Sequence, residues 1–205
     1  MMMKNGEGET LMTSSVSELI QEKALFFYKF LRSPRQVGSV TPSSKILAKA
    51  MVGSVSWDEV NSVAELGAGT GAITKYIQTA ANADTRVLLF EKDPALYREL
   101  RFQYAQYGCY RDACRLQYVM GQEKLEQLDC VISGLPFFNF SQTVRNHLLD
   151  EIIASLKDGG LFIAFQYSRQ MKKQLAERFD IDEIKFVPLN VPPAFVYVCR
   201  KRGTH

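Results

Sequence analysis

The sequence predicts a doubly wound α/β fold, in which helices cover both faces of a mostly parallel β-sheet. Apolar runs of strand length alternate with segments of helical periodicity along most of the chain. One short apolar run, residues 63–66, leads directly into a glycine-rich turn at 67–71 and then into a helical pattern. Two apolar segments near the C-terminus, 184–188 and 195–200, follow each other without a helix. We therefore expect the sheet to close with an antiparallel edge strand.

The composition indicates an ordinary globular domain. With 205 residues, 46% apolar and 23% charged, the chain is long enough for one domain with one core. No apolar run reaches the length of a membrane-spanning helix, and residues 1–7 lack the apolar core of a signal peptide. The only two histidines, His147 and His205, exclude a centre built on several histidines. The four cysteines form no C-x-x-C pair, so no metal site is expected.

Seven strands are expected, and ligands of such sheets bind at the carboxyl ends of the strands. The predicted strands are 63–66, 87–90, 115–120, 128–133, 161–167, 184–188 and 195–200. The predicted helices are 15–32, 45–52, 72–77, 94–107, 144–156, capped by Ser141, and 169–179. Four strand ends carry candidate site residues, namely Glu65 with the glycines, Glu91, Gln122, and residues 133–137.

The spacing of the glycines distinguishes between kinds of nucleoside site. A dinucleotide site uses G-x-G-x-x-G, whereas Gly67, Gly69 and Gly71 alternate as G-x-G-x-G, two residues after Glu65. Glu91 ends the next strand, where a carboxylate can accept both hydroxyls of a ribose. A turn without a ligand would not need acids at both strand ends. The arrangement resembles the first motif of the class I S-adenosylmethionine-dependent methyltransferases, whose fold is Rossmann-like.

This resemblance implies S-adenosylmethionine as the cofactor. The glycine-rich backbone would hold its methionine part, and Glu91 would bind its ribose. Gln122 stands where many relatives have an acid that contacts the adenine amino group, and the loop 33–44 could fold over the cofactor. The expected cofactor contacts are Thr41, Glu65, Gly67, Ala68, Gly69, Gly71, Glu91, Lys92, Gln122 and Ser133.

The fourth strand end bears on the substrate. Its Leu135-Pro136-Phe137 resembles the Asn-Leu-Pro-Tyr/Phe motif of the rRNA adenine dimethyltransferases, but Gly134 occupies the Asn position. A glycine removes the polar side chain that would help to hold a planar base, and we expect it to open space for a tetrahedral alkyl amine.

Further segments resemble the soluble bacterial phospholipid N-methyltransferases, a related family. They are Ser133 to Pro136, the turn 65–71, the loop 33–44, and residues 190–197. The resemblance implies stepwise N-methylation of phosphatidylethanolamine toward phosphatidylcholine. Ser133, Gly134 and Tyr28 are the candidate catalytic residues; the proton acceptor could be a carbonyl near Ser133, Tyr28 or water. Arg35 and Lys45 could bind the lipid phosphate, or could belong to a solvated basic patch.

The N-terminal part of the chain predicts a membrane contact. Residues 15–32 form an amphipathic helical pattern rich in aromatic residues, and residues 21–50 carry a local charge of about +5, against +3 for the whole chain. The same pattern fits a helix packed on the core, but the resemblance favours an anionic membrane surface. We expect a disordered N-terminus at 1–14, a helical lid and membrane-contact segment at 15–52, and the methyltransferase domain at 53–205.

The protein is accordingly expected to be a cytoplasmic monomer at the inner face of the cell membrane, with no nucleic-acid partner. Two other interpretations remain open. The shared Leu-Pro-aromatic motif permits an RNA adenine N6-methyltransferase, although the modest net charge of +3 does not favour it. The second open interpretation is a nucleoside-binding module without catalytic activity.

Overall fold

The computed structural model of the protein describes residues 43–190 and 192–203. The predicted helix 15–32 lies outside the described residues, as do Tyr28, Arg35 and Thr41. In the part of the chain that is described, no helix is long and apolar enough to cross a membrane.

The chain forms a seven-stranded sheet in the order β3-β2-β1-β4-β5-β7-β6, as the fold class predicted. The strands are β1 (Ser62–Leu66), β2 (Arg86–Phe90), β3 (Gly108–Tyr110), β4 (Leu128–Ser133), β5 (Leu156–Gln166), β6 (Phe179–Val187) and β7 (Ala194–Lys201). The neighbours from β3 to β5 pair in parallel, whereas β7 pairs antiparallel with both β5 and β6. The reversed strand β7 therefore lies one position inside the edge strand β6, and β6 runs in the direction of β5.

The described residues form six α-helices, of which the first precedes β1 and the other five each lie between two strands. They are α1 (Ser43–Val52), α2 (Thr74–Ala80), α3 (Pro94–Gln103), α4 (Leu116–Gln122), α5 (Gln142–Ser155) and α6 (Lys172–Arg178). Asp93 caps α3 by accepting from the amides of Ala95 and Leu96, and the predicted N-cap Ser141 accepts from the amide of Val144.

The central strands bring the site residues into the protein interior. β1 is buried along its whole length, and in β4 only Asp129 is slightly exposed. Such continuous burial is typical of parallel strands covered by helices on both faces. One face of α1 joins this core, because Leu47, Ala48 and Met51 are buried. Because β1 and β4 pair in parallel, their carboxyl ends lie side by side at one end of the sheet, which we call the carboxyl edge.

The predicted strand at 115–120 is wrong, because these residues belong to a turn and to α4. Leu116, Val119 and Met120 are buried at helical spacing and pack on the sheet. The third strand is Gly108–Tyr110, which pairs in parallel with β2. Its three half-buried residues form no apolar run, so the hydrophobic pattern does not reveal it.

Candidate active site

The glycine-rich turn after β1 has a backbone that requires glycine. Gly67, Gly69 and Gly71 have φ angles of 76°, 58° and 79°, in the left-handed region that side chains disfavour. The amides of Gly67 and Ala68 both donate to the carbonyl of Phe90, at 2.8 and 3.0 Å. These bonds tie the turn to the end of the neighbouring strand β2. A Cβ atom on Gly69 would meet no atom within 4 Å, so open space lies over the middle of the turn.

Glu91 lies directly after β2 and is held by the backbone on both of its oxygens. Its Oε2 accepts from the amide of Gly69 at 2.8 Å, and its Oε1 accepts from the amide of Asp93 at 2.8 Å. Because a carboxylate oxygen has two lone pairs, each oxygen keeps one acceptor position. The carboxylate is thus fixed in place and still able to accept the two hydroxyls of a ribose.

Glu65 is a fully buried carboxyl group at the carboxyl end of β1. Its Oε2 accepts from the hydroxyl of Thr74 at 2.6 Å, whereas its Oε1 has no hydrogen-bond partner among the described residues. Burial raises the pKa of Glu65 to about 8, and the nearby Glu91 acts in the same direction. A buried carboxyl oxygen without a partner is costly unless a donor or a cation binds there. Glu65 is therefore suited to a cationic group of a ligand.

Ser133 ends the neighbouring strand β4, and Gly134, the next residue, contacts the glycine-rich turn. Ser133 is buried, and its Oγ accepts from the amide of Leu135 at 3.2 Å. The amide of Gly134 donates to the carbonyl of Leu66 at 2.8 Å. A Cβ atom on Gly134 would lie 2.9 Å from the carbonyl oxygen of Gly67. The expectation that this glycine opens space is wrong, since backbone of the turn fills the position instead.

Arg145, which the sequence analysis did not identify, holds the loop that follows β4. Its Nε donates to the carbonyl of Phe137 at 3.0 Å, and its Nη2 donates to the carbonyls of Phe138 and Phe140 at 3.0 Å. A positive charge near the N-terminus of a helix interacts unfavourably with the helix dipole. An arginine close to the start of a capped helix therefore indicates that its guanidinium binds groups outside the helix.

The predicted adenine contact, Gln122, does not lie at the carboxyl edge. It is the last residue of α4, is exposed, and donates to the hydroxyl of Tyr118 at 3.0 Å. Asp112 follows the true third strand instead, two residues after Tyr110. One of its oxygens, Oδ1, accepts from the amide of Cys114 at 3.0 Å. Asp112 is the acid that the structure places after β3, and the missed strand explains why the sequence analysis overlooked it.

Two other predicted residues have exposed side chains. Lys92 follows Glu91 at the carboxyl edge, and its carbonyl accepts from Arg111 at 3.4 Å. Lys45 lies in α1. No group of three or more histidine, cysteine, aspartate or glutamate side chains in the described ranges could hold a metal ion.

These groups fit S-adenosylmethionine. When bound, this cofactor supplies a methyl group on a positively charged sulfur, which makes the carbon a good electrophile. The unpartnered Oε1 of Glu65 would receive the methionine ammonium, and the open space over Gly69 would admit the ligand. The free acceptor positions of Glu91 would receive the ribose. Oxygen atoms that could accept from the ammonium and from the ribose are therefore already present at the carboxyl edge.

Comparison with known proteins agrees with this fold. The structure resembles a 1,6-didemethyltoxoflavin N1-methyltransferase from Burkholderia thailandensis, with a TM-score of 0.63, 13% identity and coverage of 99% of this chain and 94% of that chain. It also resembles the N-methyltransferase NodS from Bradyrhizobium japonicum WM9, with a TM-score of 0.60, 13% identity and coverage of 78% and 94%. At such identities the likeness shows the class I methyltransferase fold alone.

No family model matches the chain. A sequence comparison, however, finds an ornithine lipid N-methyltransferase from Singulisphaera acidiphila. The two sequences are 35% identical over 182 residues, which cover 86% of this chain and 94% of the relative. The chain therefore belongs to the family of this N-methyltransferase, and it is an S-adenosylmethionine-dependent methyltransferase.

Proposed function

We propose that the protein N-methylates the amine of a membrane lipid headgroup. The observation that carries this proposal is the 35% identity to an ornithine lipid N-methyltransferase across 94% of that enzyme. Ornithine lipid is therefore the first candidate substrate. Phosphatidylethanolamine, which the motif resemblance predicted, is the second. Both present a primary amine on a short alkyl chain, so the same site could align either nitrogen.

The arrangement at the end of β4 favours an alkyl amine as the group that is methylated. At Gly134 the carbonyl of Gly67 occupies the position of a side chain, so an asparagine could not enter without a shift of the turn. The chemistry asks the protein mainly to align the nitrogen with the methyl carbon. The buried Ser133 and the carbonyls around it would orient the amine, and the amine must lose its proton before attack. Tyr28, a carbonyl near Ser133, and water remain the candidates for accepting that proton.

One assay distinguishes a lipid substrate from a nucleic-acid substrate. The full-length protein would be incubated with methyl-labelled cofactor and vesicles of phosphatidylglycerol that contain either ornithine lipid or phosphatidylethanolamine. We expect labelled ornithine lipid as the main product, resolved by thin-layer chromatography. Label in rRNA fragments and not in either lipid would support the adenine methyltransferase instead. Cofactor binding by calorimetry without transfer to any substrate would indicate a binding module.

We further propose that Asp112, and not Gln122, contacts the adenine of the cofactor. Asp112 follows β3 at the carboxyl edge, as Glu91 follows β2, and one of its carboxylate oxygens accepts from a backbone amide. Asp112→Ala should weaken cofactor binding about fivefold, as expected for loss of one hydrogen bond. Gln122→Ala serves as the matched control and should leave the affinity unchanged. The reverse result would restore the prediction made from the sequence.

The N-terminal segment is proposed to contact the membrane. Helix 15–32 would bring the protein to an anionic surface, and Arg35 or Lys45 would bind a phosphate if the substrate is a phospholipid. Deletion of residues 1–32 is then expected to reduce flotation with anionic vesicles. Arg35→Gln and Lys45→Gln should lower methylation of phosphatidylethanolamine more than that of ornithine lipid, which has no phosphate. Equal losses on both lipids would contradict a phosphate contact.

A further inference from the structure

The edge strand β6 is chemically polarised along its length. Its first residues are acidic at Asp180, Asp182 and Glu183, whereas its last residues and the turn after it expose Phe186 and Leu189. Because β6 runs in the direction of β5, this apolar end lies at the carboxyl edge of the sheet. The acidic end lies at the opposite edge, away from the candidate active site.

The apolar end of β6 is exposed and held in place. Phe186 is 56% exposed and Leu189 is 70% exposed. The ring of Phe186 packs against that of Phe195 on β7, with centroids 5.1 Å apart. Asn190 fixes the turn, because its amide donates to Val187 at 3.3 Å and its side chain donates to Pro192 at 2.7 Å. The ring contact and the two hydrogen bonds of Asn190 therefore tie down the backbone on both sides of Leu189.

The two ends of β6 also differ in their basic groups. At the carboxyl edge, the guanidinium of Arg169 lies 6.0 Å from the ring centroid of Phe195, and Lys172 and Lys173 at the start of α6 are exposed. Lys185 has an acidic neighbour, Glu183, at 3.4 Å. At the other edge, basic side chains are paired with the acids of the strand. Arg200 lies 2.8 Å from Asp182, and Arg202 lies 2.9 Å from Asp180.

Exposed apolar side chains also occur beside the candidate active site, at the same carboxyl edge. Phe138, in the loop after β4, is 50% exposed, and Val144, in the first turn of α5, is 41% exposed. We call Phe138, Val144, Phe186 and Leu189 the apolar rim. Three strand spacings of about 4.8 Å separate β4 from β6, so the rim extends to about 14 Å from the end of β4. The candidate active site therefore lies at the same edge of the sheet as the rim, within about 14 Å of its far end.

We infer that the apolar rim and the cations beside it form a surface that docks on an anionic lipid bilayer. This inference rests on the proposed function, since a lipid amine can reach the site only if the carboxyl edge faces the membrane. Apolar side chains at the level of the headgroups and basic groups near anionic lipids are the two components of an interfacial contact. The polarity of β6 would keep its acidic end in water and thereby orient the protein.

The inference is tested by vesicle partition of the full-length protein. Phe186→Ser combined with Leu189→Ser should lower partition onto vesicles of phosphatidylglycerol and phosphatidylethanolamine by at least tenfold, as expected for loss of two large apolar contacts. Arg169→Gln should lower partition about threefold on these vesicles and leave partition onto pure phosphatidylcholine unchanged. The matched control is Phe102→Ser, because Phe102 is 91% exposed but lies in the last turn of α3, away from the carboxyl edge.

The outcomes separate this surface from the proposed chemistry. Unchanged partition of the Phe186/Leu189 double variant, or an equal loss with Phe102→Ser, would overturn the docking surface even if lipid methylation is observed. Loss of a dimer in the double variant without loss of partition would assign the rim to a second copy of the chain, and would also overturn it. Strong partition that depends on the rim, without lipid methylation, would sustain the surface and remove the proposed substrate. Calorimetric cofactor binding would show that each variant is folded.

Discussion

The two halves of the carboxyl edge differ in what their polar groups contact. In the cofactor half, at the ends of β1 and β2, the carboxylates of Glu65 and Glu91 are fixed by Thr74 and by backbone amides. In the substrate half, after β4, the loop carbonyls of Phe137 and Phe138 accept from Arg145, and apolar rings remain exposed. One half thus presents fixed carboxyl groups to a cationic, hydroxyl-rich cofactor. The other presents apolar surface, which suits a lipid.

Because the two halves are built differently, substitutions should impair cofactor binding and lipid methylation separately. Glu65→Gln should give the largest effect. Loss of the buried carboxyl group that we propose binds the cofactor ammonium should weaken S-adenosylmethionine binding about 100-fold, or about 2.7 kcal/mol. Isothermal titration calorimetry measures this loss. Glu126→Gln, at an exposed acid before β4, is the control and should bind normally. An affinity within threefold of the parent protein would refute the role of Glu65.

The same carboxyl group should make cofactor binding depend on pH. Since the pKa of Glu65 is raised to about 8, the group is protonated in the free protein at neutral pH, and binding a cation must release that proton. The affinity ratio between the parent protein and Glu65→Gln should therefore rise by up to tenfold per pH unit from pH 6 to about 7.5. Using the ratio cancels the titration of the cofactor's own amine. A ratio independent of pH would contradict a protonated Glu65.

The raised pKa of Glu65 also predicts how stability depends on pH. The folded state binds this proton more tightly than the unfolded chain, so the stability contributed by the protonated group is present below about pH 4.5 and is lost as pH rises through about 8. Glu65→Gln should lose less stability than the parent protein across this range. Urea unfolding at several pH values measures the difference, and parallel pH profiles would contradict the prediction.

Gly134 lies where the two halves meet, so its substitution should affect both. In Gly134→Ala the new Cβ would lie 2.9 Å from the carbonyl oxygen of Gly67, and either the turn or β4 must move. We expect a loss of about 1–3 kcal/mol in the free energy of unfolding and about tenfold weaker cofactor binding. Gly121→Ala is the matched control, because a Cβ there meets no atom within 4 Å. Equal stability of the two variants would show that the contact is unimportant.

Arg145→Ala should affect the substrate half alone, with the smallest change. Three carbonyls of the loop after β4 lose their guanidinium donor, so the loop should become less ordered. We expect methyl transfer to lipid to fall about fivefold while cofactor affinity stays within about twofold. Arg98→Ala removes an exposed arginine that bonds one carbonyl, that of Pro94, and should leave both quantities unchanged. A parallel loss of cofactor affinity in Arg145→Ala would mean that the halves are coupled.

Local sequence was informative where a residue type has few structural uses. The alternating glycines predicted a turn at 67–71, and the structure has that turn, with positive φ angles at all three glycines. Mostly apolar runs predicted the buried strands β1, β2 and β4 at nearly their observed bounds. The acids Glu65 and Glu91 could be placed at the carboxyl edge because Glu65 is the penultimate residue of its strand and Glu91 directly follows the next one.

Pairing between distant segments decided the rest. The third strand, Gly108–Tyr110, exists because it pairs with β2, and no periodicity in three residues could reveal it. That pairing moved the candidate adenine contact from Gln122 to Asp112. Gly134 looked like open space in the sequence, but the approach of Gly67 from another strand fills it. The sequence by itself determined the fold class and the cofactor turn, because these depend on local backbone preference and burial. Only the tertiary structure decided which other residues join Glu65 and Glu91 at the carboxyl edge, because strand register is set by contacts far apart in the chain.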